Sequence, residues 1–425
     1  MYNMTCHGLK MYTKVLLRSL DRLVSVYKGS ESVFLVSFLR KKCDIDVTRS
    51  SREFCIEKNI NNAAGKLAHN QKPDWNKAVS EAEEIVGYST SVLTWLLSDD
   101  IANVALHLRK LDGSNHPLLD TAKSLLYNGR SNMQAWGLIV LLISKAAGQL
   151  NVEEMEEDEA AGVLHSQRAL AEVTQMIRTY HLVHKSMVNI YPGMYPEASI
   201  LNNMIFGNKI ALLSGDYILA NVSGILANMR NHEILDLIGH SLRDLAEGEF
   251  IGRRDQQNNP LPSPQGVRDA AQDWTHRNVL SAGNLLGRAC QGTLKLAGHG
   301  RELQEQGYNF GKHLILAWQA CVDLEPFIPG SQYVSGSLFN LTSAPVLFHL
   351  QHDPSLFNEI DKGLNSIQNV DFEKIHSIVS KGPGIFLTKQ LQKNHSQKVM
   401  EVLQVFQESD ARTAIRNIIM AMSHY

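Results

Sequence analysis

The chain has 425 residues, 44% of them hydrophobic and 20% charged, with a formal net charge of −2. That is the balance of a globular protein with ample apolar material for a core, and it leaves no global basic field for nucleic acid. Five cysteines (Cys6, Cys43, Cys55, Cys290 and Cys321), odd in number and without a C-x-x-C pair, argue against a disulfide scaffold or zinc ribbon and fit a reducing compartment.

Residues 1–42 carry Lys10, Lys14, Arg18, Arg22, Lys28, Arg40, Lys41 and Lys42 against only Asp21 and Glu31. Basic and apolar residues recur there at helical spacing. This is the composition of a mitochondrial transit peptide, the alternative being a disordered basic segment, and it sets residues 1–55 apart from a body at 75–425. The apolar run 33–39 is too short to span a bilayer, and apolar runs in the body are interrupted by polar residues, so no transmembrane segment is expected.

With only 12 prolines, the body reads as helices. Asp74 is placed to cap a helix from Trp75, and residues 78–97 repeat apolar side chains at three-to-four spacing. A second helix runs from His116-Pro117 to Tyr127 and stops at Asn128-Gly129. Trp136–Ala147 is apolar on nearly every face, which places it centrally. The acidic run 153–159 reads as a solvated loop leading into the next helix rather than a metal site. Helices are then expected at 160–190, 198–229, 232–250, 266–298, 302–323 and 338–350, with more toward the C-terminus. Residues 256–265, with three prolines and two asparagines, form a loop. No β-alternation of useful length and no internal repeat occurs, so the expected fold is one large all-α bundle.

The stretch 206–220 contains Gly207, Asn208, Lys209, Gly215 and Asp216. It resembles the GNKxAxLxGDxLLA segment of the trans-prenyl diphosphate synthases, which extend allylic diphosphates with isopentenyl diphosphate. Other pieces follow in order. Leu245 to Glu249 is similar to LxxGE, and Phe310-Gly311 with Ala317-Trp318-Gln319 to FGxxLGxAFQ. Ser335-Gly336 with Thr342 to Phe348 is similar to GxxTxPxLF, and Gly384-Ile385, Thr388 and His395 to GIxxT…H. The resemblance covers residues 75–425 and implies the large single-domain helical bundle of the isoprenoid synthase type. It also implies two facing helices that each carry DDxxD. Carboxylates at i, i+1 and i+4 share a helix face and hold magnesium against a diphosphate, whose departure the metal then assists.

The chain departs from that pattern at each charged position. After Leu182-Val183-His184 the first motif reads Lys185-Ser186-Met187-Val188-Asn189, and no Asp or Glu lies between Glu172 and Glu197. A lysine at the first position opposes a dication by Coulomb repulsion. The family's Arg-Arg-Gly is replaced by the stretch from Tyr191 to Pro196, and no arginine lies between Arg178 and Arg230. The second motif reads Val322-Asp323-Leu324-Glu325-Pro326, where Pro326 ends or kinks the helix. The Lys-Thr pair falls at Ser281-Ala282, and the early Gly-Gly-Lys motif aligns loosely with Asn128-Gly129-Arg130. Asp323 reads as a paired or solvated helix-end carboxylate. Lys185 is either a charge locking the cleft or a surface lysine. His181 and His184 share a face without a third ligand, and Tyr180 falls where the family places a bulky residue limiting product length.

Framework kept and charges lost, the resemblance implies a non-catalytic subunit of a heteromeric decaprenyl or solanesyl diphosphate synthase that supplies the ubiquinone side chain in the mitochondrial matrix. It would bind no metal itself. Its partner would be a catalytic polyprenyl diphosphate synthase subunit holding Mg²⁺, in a heterotetramer that handles isoprenoid diphosphates. Trp136–Ala147 and residues 210–229 are the expected contact helices. The alternatives are a lipid- or diphosphate-binding regulator without a synthase partner, and a synthase active alone through altered metal ligation.

Overall fold

The computed structural model describes residues 74–87, 110–111, 114–126, 135–150, 157–158, 162–195, 197–328 and 334–423. They fall within one unit, Lys72–Tyr425. The basic segment 1–55, the Asn128-Gly129 stop and Arg130 lie outside the described residues.

Helix α1 (Trp75–Val86) starts where the Asp74 carboxylate accepts the Asn76 N–H at 3.1 Å. It ends at Gly87, whose φ of 58° is the left-handed conformation glycine adopts readily. The expected helix 78–97 is therefore cut at Val86, and residues 88–109 lie outside the description. Helix α2 (Pro117–Leu126) follows the His116-Pro117 start. Helix α3 (Trp136–Ala147) has the expected bounds and is buried on every face from Trp136 to Ser144. Its first charged residue, Lys145, donates to the Ile85 carbonyl at 2.8 Å and so ties α3 to the end of α1.

Of the acidic run, Glu157–Asp158 (β1) pair antiparallel with Val163–Leu164 (β2), so the next helix starts at His165 rather than 160. Helix α4 (His165–Lys185) packs along α5 (Ala198–Asn228), and α6 (His232–Gly248) follows. The loop 256–265 contains β4 (Pro260–Leu261), which pairs with β3 (Arg253–Arg254) to make a short hairpin. The expected helix 266–298 is broken into a 3₁₀ turn, α7 (Ala270–Asn278), a π-helical segment Val279–Gly283 and α8 (Asn284–Leu296). The break has a local cause at its start, since Asp269 caps α7 by accepting the Gln272 N–H at 3.0 Å.

Helix α9 (Arg301–Leu324) stops two residues before Pro326, which enters a 3₁₀ turn. Helix α10 (Ala344–His352) begins later than the expected 338, because Asn340 accepts the Thr342 N–H and hydroxyl in a turn and Pro345 then opens the helix. Helices α11 (Phe357–Ile360), α12 (Phe372–Lys381), α13 (Gly384–Leu403) and α14 (Asp410–Ser423) complete the bundle.

One core gathers α1, α3, α4, α6, α8, α9 and α14, and a second lies under α7, α9, α10 and α12. Gly311 lets α9 approach α8 closely, since a Cβ there would meet the Leu286 carbonyl at 2.6 Å. The architecture is the all-α helical bundle expected from the sequence. The correction concerns α3: Leu138 to Ile143 are wholly buried within their own chain, so this helix offers no surface to a partner.

Helices α9 and α13 meet at a histidine pair. His313 Nδ1 and His395 Nδ1 are 3.0 Å apart with stacked rings. Burial first, then His395, Lys312 and Lys398, lowers the His313 imidazole to about 3, and burial, then Lys398 and Lys312, lowers that of His395 to about 4. In the unfolded chain both take a proton near pH 6.5. Their contribution is therefore complete above that pH and is lost as pH falls toward the folded values. Urea unfolding between pH 7.5 and 5 should show stability falling by up to about 1.4 kcal/mol per pH unit per histidine. His395→Phe should flatten the slope.

Candidate functional site

The site is built where α4 ends. Arg178, His181 and Lys185 lie one helical turn apart on α4, the Arg178 guanidinium 4.8 Å above the Trp136 ring. Lys185 Nζ lies 3.1 Å from Glu249 Oε1, the glutamate after α6 that closes the Leu245–Glu249 motif. The same carboxylate has His181 Nε2 at 3.6 Å and Arg254 Nη1 at 3.6 Å. Burial first, then Lys185 and Arg178, hold the His181 imidazole well below its ordinary value, so it is neutral beside Glu249. The position where a first aspartate would hold a cation thus carries a cation of its own, already paired.

Beyond Lys185 the backbone leaves the helix. The Ser186 hydroxyl donates to the Val183 carbonyl at 2.5 Å, and the next residues are strapped to α5 and the hairpin. Asn208 accepts the Val188 N–H at 2.9 Å and donates to the Val188 carbonyl at 2.7 Å. Asn189 accepts from and donates to the segment 256–257 through three contacts of 2.9–3.0 Å. Gly207 and Gly215 keep α5 free of Cβ atoms where His116 and His184 pack against it. Asp216 is exposed, 3.7 Å from His184 Nε2, and Lys209 is exposed. Tyr180 packs edge-on against His184, with centroids 4.6 Å apart.

Ser281 and Ala282 sit in the π-helical segment, with Gly248 against the Leu280–Ser281 backbone. Neither carries charge. In the second motif Val322 lies at the end of α9, and Asp323 is 5% exposed with all its accepting directed inward. Its Oδ2 accepts from Trp274 Nε1 at 2.7 Å and the Ala344 N–H at 2.8 Å, and its Oδ1 accepts from Gln319 Nε2 at 2.8 Å. Burial pushes this carboxyl up, and the three donors pull it back down. Among the described residues no three His, Cys, Asp or Glu side chains are grouped to hold a metal ion. Magnesium of the kind the family uses does not fit these residues, because one motif begins with a paired ammonium and the other keeps a single fully engaged carboxylate.

Glu249, Trp274, Ala344 and Gln257 were missed as partners by sequence reasoning. The LxxGE resemblance pointed at Glu249 but not at its cationic neighbours, and nothing local signalled the others.

Residues 197–355 match the polyprenyl synthetase family. The chain is 37% identical to the all trans-polyprenyl-diphosphate synthase PDSS2 of Mus musculus, over 83% of this chain and 88% of that protein. It is 25% identical to the probable mitochondrial hexaprenyl pyrophosphate synthase of Yarrowia lipolytica, over 83% and 89%. Among solved structures, the polyprenyl synthase of Caulobacter crescentus aligns over 84% of this chain and 99% of its own, with a TM-score of 0.57 and 15% identity. That likeness concerns the fold.

Replacing Asp323 by Ala would leave the Trp274 and Ala344 N–H groups buried without an acceptor. The expected loss is about 2–5 kcal/mol in urea unfolding. Asp323→Asn, which keeps an acceptor, should lose less. Magnesium and EDTA should leave the melting temperature of the isolated chain equal.

Proposed function

This chain belongs to the polyprenyl synthetase family, and from that premise we propose that it is a non-catalytic, stabilising subunit of a heteromeric all-trans-polyprenyl diphosphate synthase. The observation that carries the proposal is the Lys185–Glu249 pair at 3.1 Å. A site that must gather dications around a diphosphate has instead closed its first ligand position with an internal ammonium. The catalytic partner supplies the magnesium and binds the isoprenoid diphosphates; this chain supplies structure. The N-terminal basic composition and the mitochondrial hexaprenyl synthase relative support placement in the mitochondrial matrix and a part in making the ubiquinone side chain.

The partner docks on α5. By length and composition this is the one helix among the described residues that could cross a membrane, and only 33% of its most apolar window is buried. It carries Lys209 and Asp216 at mid-length and lies packed on α4, which favours a protein contact over lipid. Ile205, Leu212 and Leu213, exposed by 52%, 44% and 53%, follow one another at helical spacing and form the bare stripe.

Elongation assays with magnesium test the role, using this chain, its catalytic paralogue and their mixture. This chain alone should give no product, and the mixture should exceed the paralogue alone; robust elongation by this chain alone would overturn the proposal. Leu213→Glu should abolish co-purification with the paralogue while leaving the circular dichroism spectrum unchanged.

A further inference from the structure

A cavity of about 370 Å³ opens at the second motif, between the last turn of α9 and the segment before α10. Asp323, Glu325, Pro326, Leu338, Phe339 and Ser343 are among the residues that line it. It lies at the small end of the range of ligand sites, about 300–1,000 Å³, and suits a short stem rather than a polyprenyl chain.

Its charges are inverted for a phosphate ligand. Among the described residues no Lys, Arg or His lines it. Asp323 is engaged by three donors, one of them the Ala344 N–H, so its charge faces the positive N-terminus of α10. Glu325 has no ion-pair partner among the described residues and supplies the net charge of the cavity. A second observation points to an occupant. Ser343 is 3% exposed, and its hydroxyl finds no hydrogen-bond partner among the described residues. It precedes α10 yet does not cap it. A buried hydroxyl without a partner is destabilising by about 1–3 kcal/mol, which a polar group of a ligand would offset. Val322, Pro326, Leu338 and Phe339 give the remaining wall an apolar character, with Leu338 64% exposed at the mouth.

We propose that this cavity binds a protonated amine or guanidinium carried on a short apolar stem, the cation against Glu325, a donor on Ser343 and the stem along Leu338 and Phe339. The same chemistry is offered by a small alkylamine and by a lysine or arginine side chain of a partner subunit. The site stands on its own geometry, whether or not the chain proves to be an accessory subunit.

The test uses the full chain and isothermal titration with n-butylammonium and n-butylguanidinium, with n-butanol as the neutral control. Inorganic diphosphate, with and without magnesium, serves as competitor. Both cations should bind in preference to butanol and should not be displaced by diphosphate. Glu325→Gln should weaken them about tenfold, as loss of one charge-assisted hydrogen bond predicts. Ser343→Ala should weaken them several-fold while raising the melting temperature of the free chain, since it removes an unpartnered buried hydroxyl, and Leu338→Trp should block the mouth; Glu325→Gln and Leu338→Trp should leave the melting temperature unchanged. Equal binding of butanol, unchanged affinity in Glu325→Gln, or displacement by magnesium diphosphate would each overturn the proposal. Repeating the titration on the complex with the catalytic paralogue separates the sources. A blocked cavity assigns the cation to the partner's side chain, and an open one assigns it to a free amine.

Discussion

Everything about this cleft turns on where its carboxylates are directed. A trans-prenyl site works only while several of them remain free to hold a dication against a departing diphosphate. Here Glu249 faces Lys185, His181 and Arg254, and Asp323 accepts from Trp274, Gln319 and Ala344. The two arrangements differ in energy. Lys185 is 48% exposed, and an ion pair of that kind contributes on the order of 1 kcal/mol or less. Its consequence is chemical: Glu249 faces an ammonium tethered to the chain itself. Asp323 is buried, so its three donors are what keep the charge tolerable inside the protein, and they hold the second core together in return.

The lost motif positions have become joints. Asp323 links α9 to α7 through Trp274 and to α10 through the Ala344 N–H. Asn189, where the first motif would keep its last aspartate, is laced to the hairpin segment around Gln257, and Asn208 grips Val188 on the other side. The retained glycines have the same kind of reason to persist. Gly207 and Gly215 are demanded by the His116 and His184 rings packed against α5.

What the sequence made legible follows from how local each signal is. Helix α3 could be bounded to the residue because its apolar run, its lack of charge before Lys145 and Gly148 at its end all lie within the helix or beside it. The Asp74 cap and the Pro326 stop are equally local. The pattern 266–298 reads as one helix because nothing in it marks the π-helical segment at Ser281-Ala282, whereas the late start of α10 and the two-residue strands rest on turns and pairings within a few residues that an apolar pattern does not register. The site divides the same way. The absence of acidic residues between Glu172 and Glu197 is plain in the sequence. The destination of Lys185 is not, because Glu249 follows another helix, α6, and its nearness is created only when the bundle assembles.

Apolarity misled in one instructive place. Both α3 and α5 are long, apolar and candidates for a subunit contact on composition. The fold separates them by coverage: α3 is enclosed by its own chain on every side, whereas α5 rests on α4 and leaves Ile205, Leu212 and Leu213 in solvent beside Lys209 and Asp216. At about 25 cal/mol per Å² of apolar surface, covering three such side chains is worth several kcal/mol to an assembly. A bare apolar stripe of this size is the kind of surface that a subunit contact on α5 would cover. The closed cleft and the bare helix therefore support one reading, in which the protein's function is completed on the surface of α5 rather than at the end of α4.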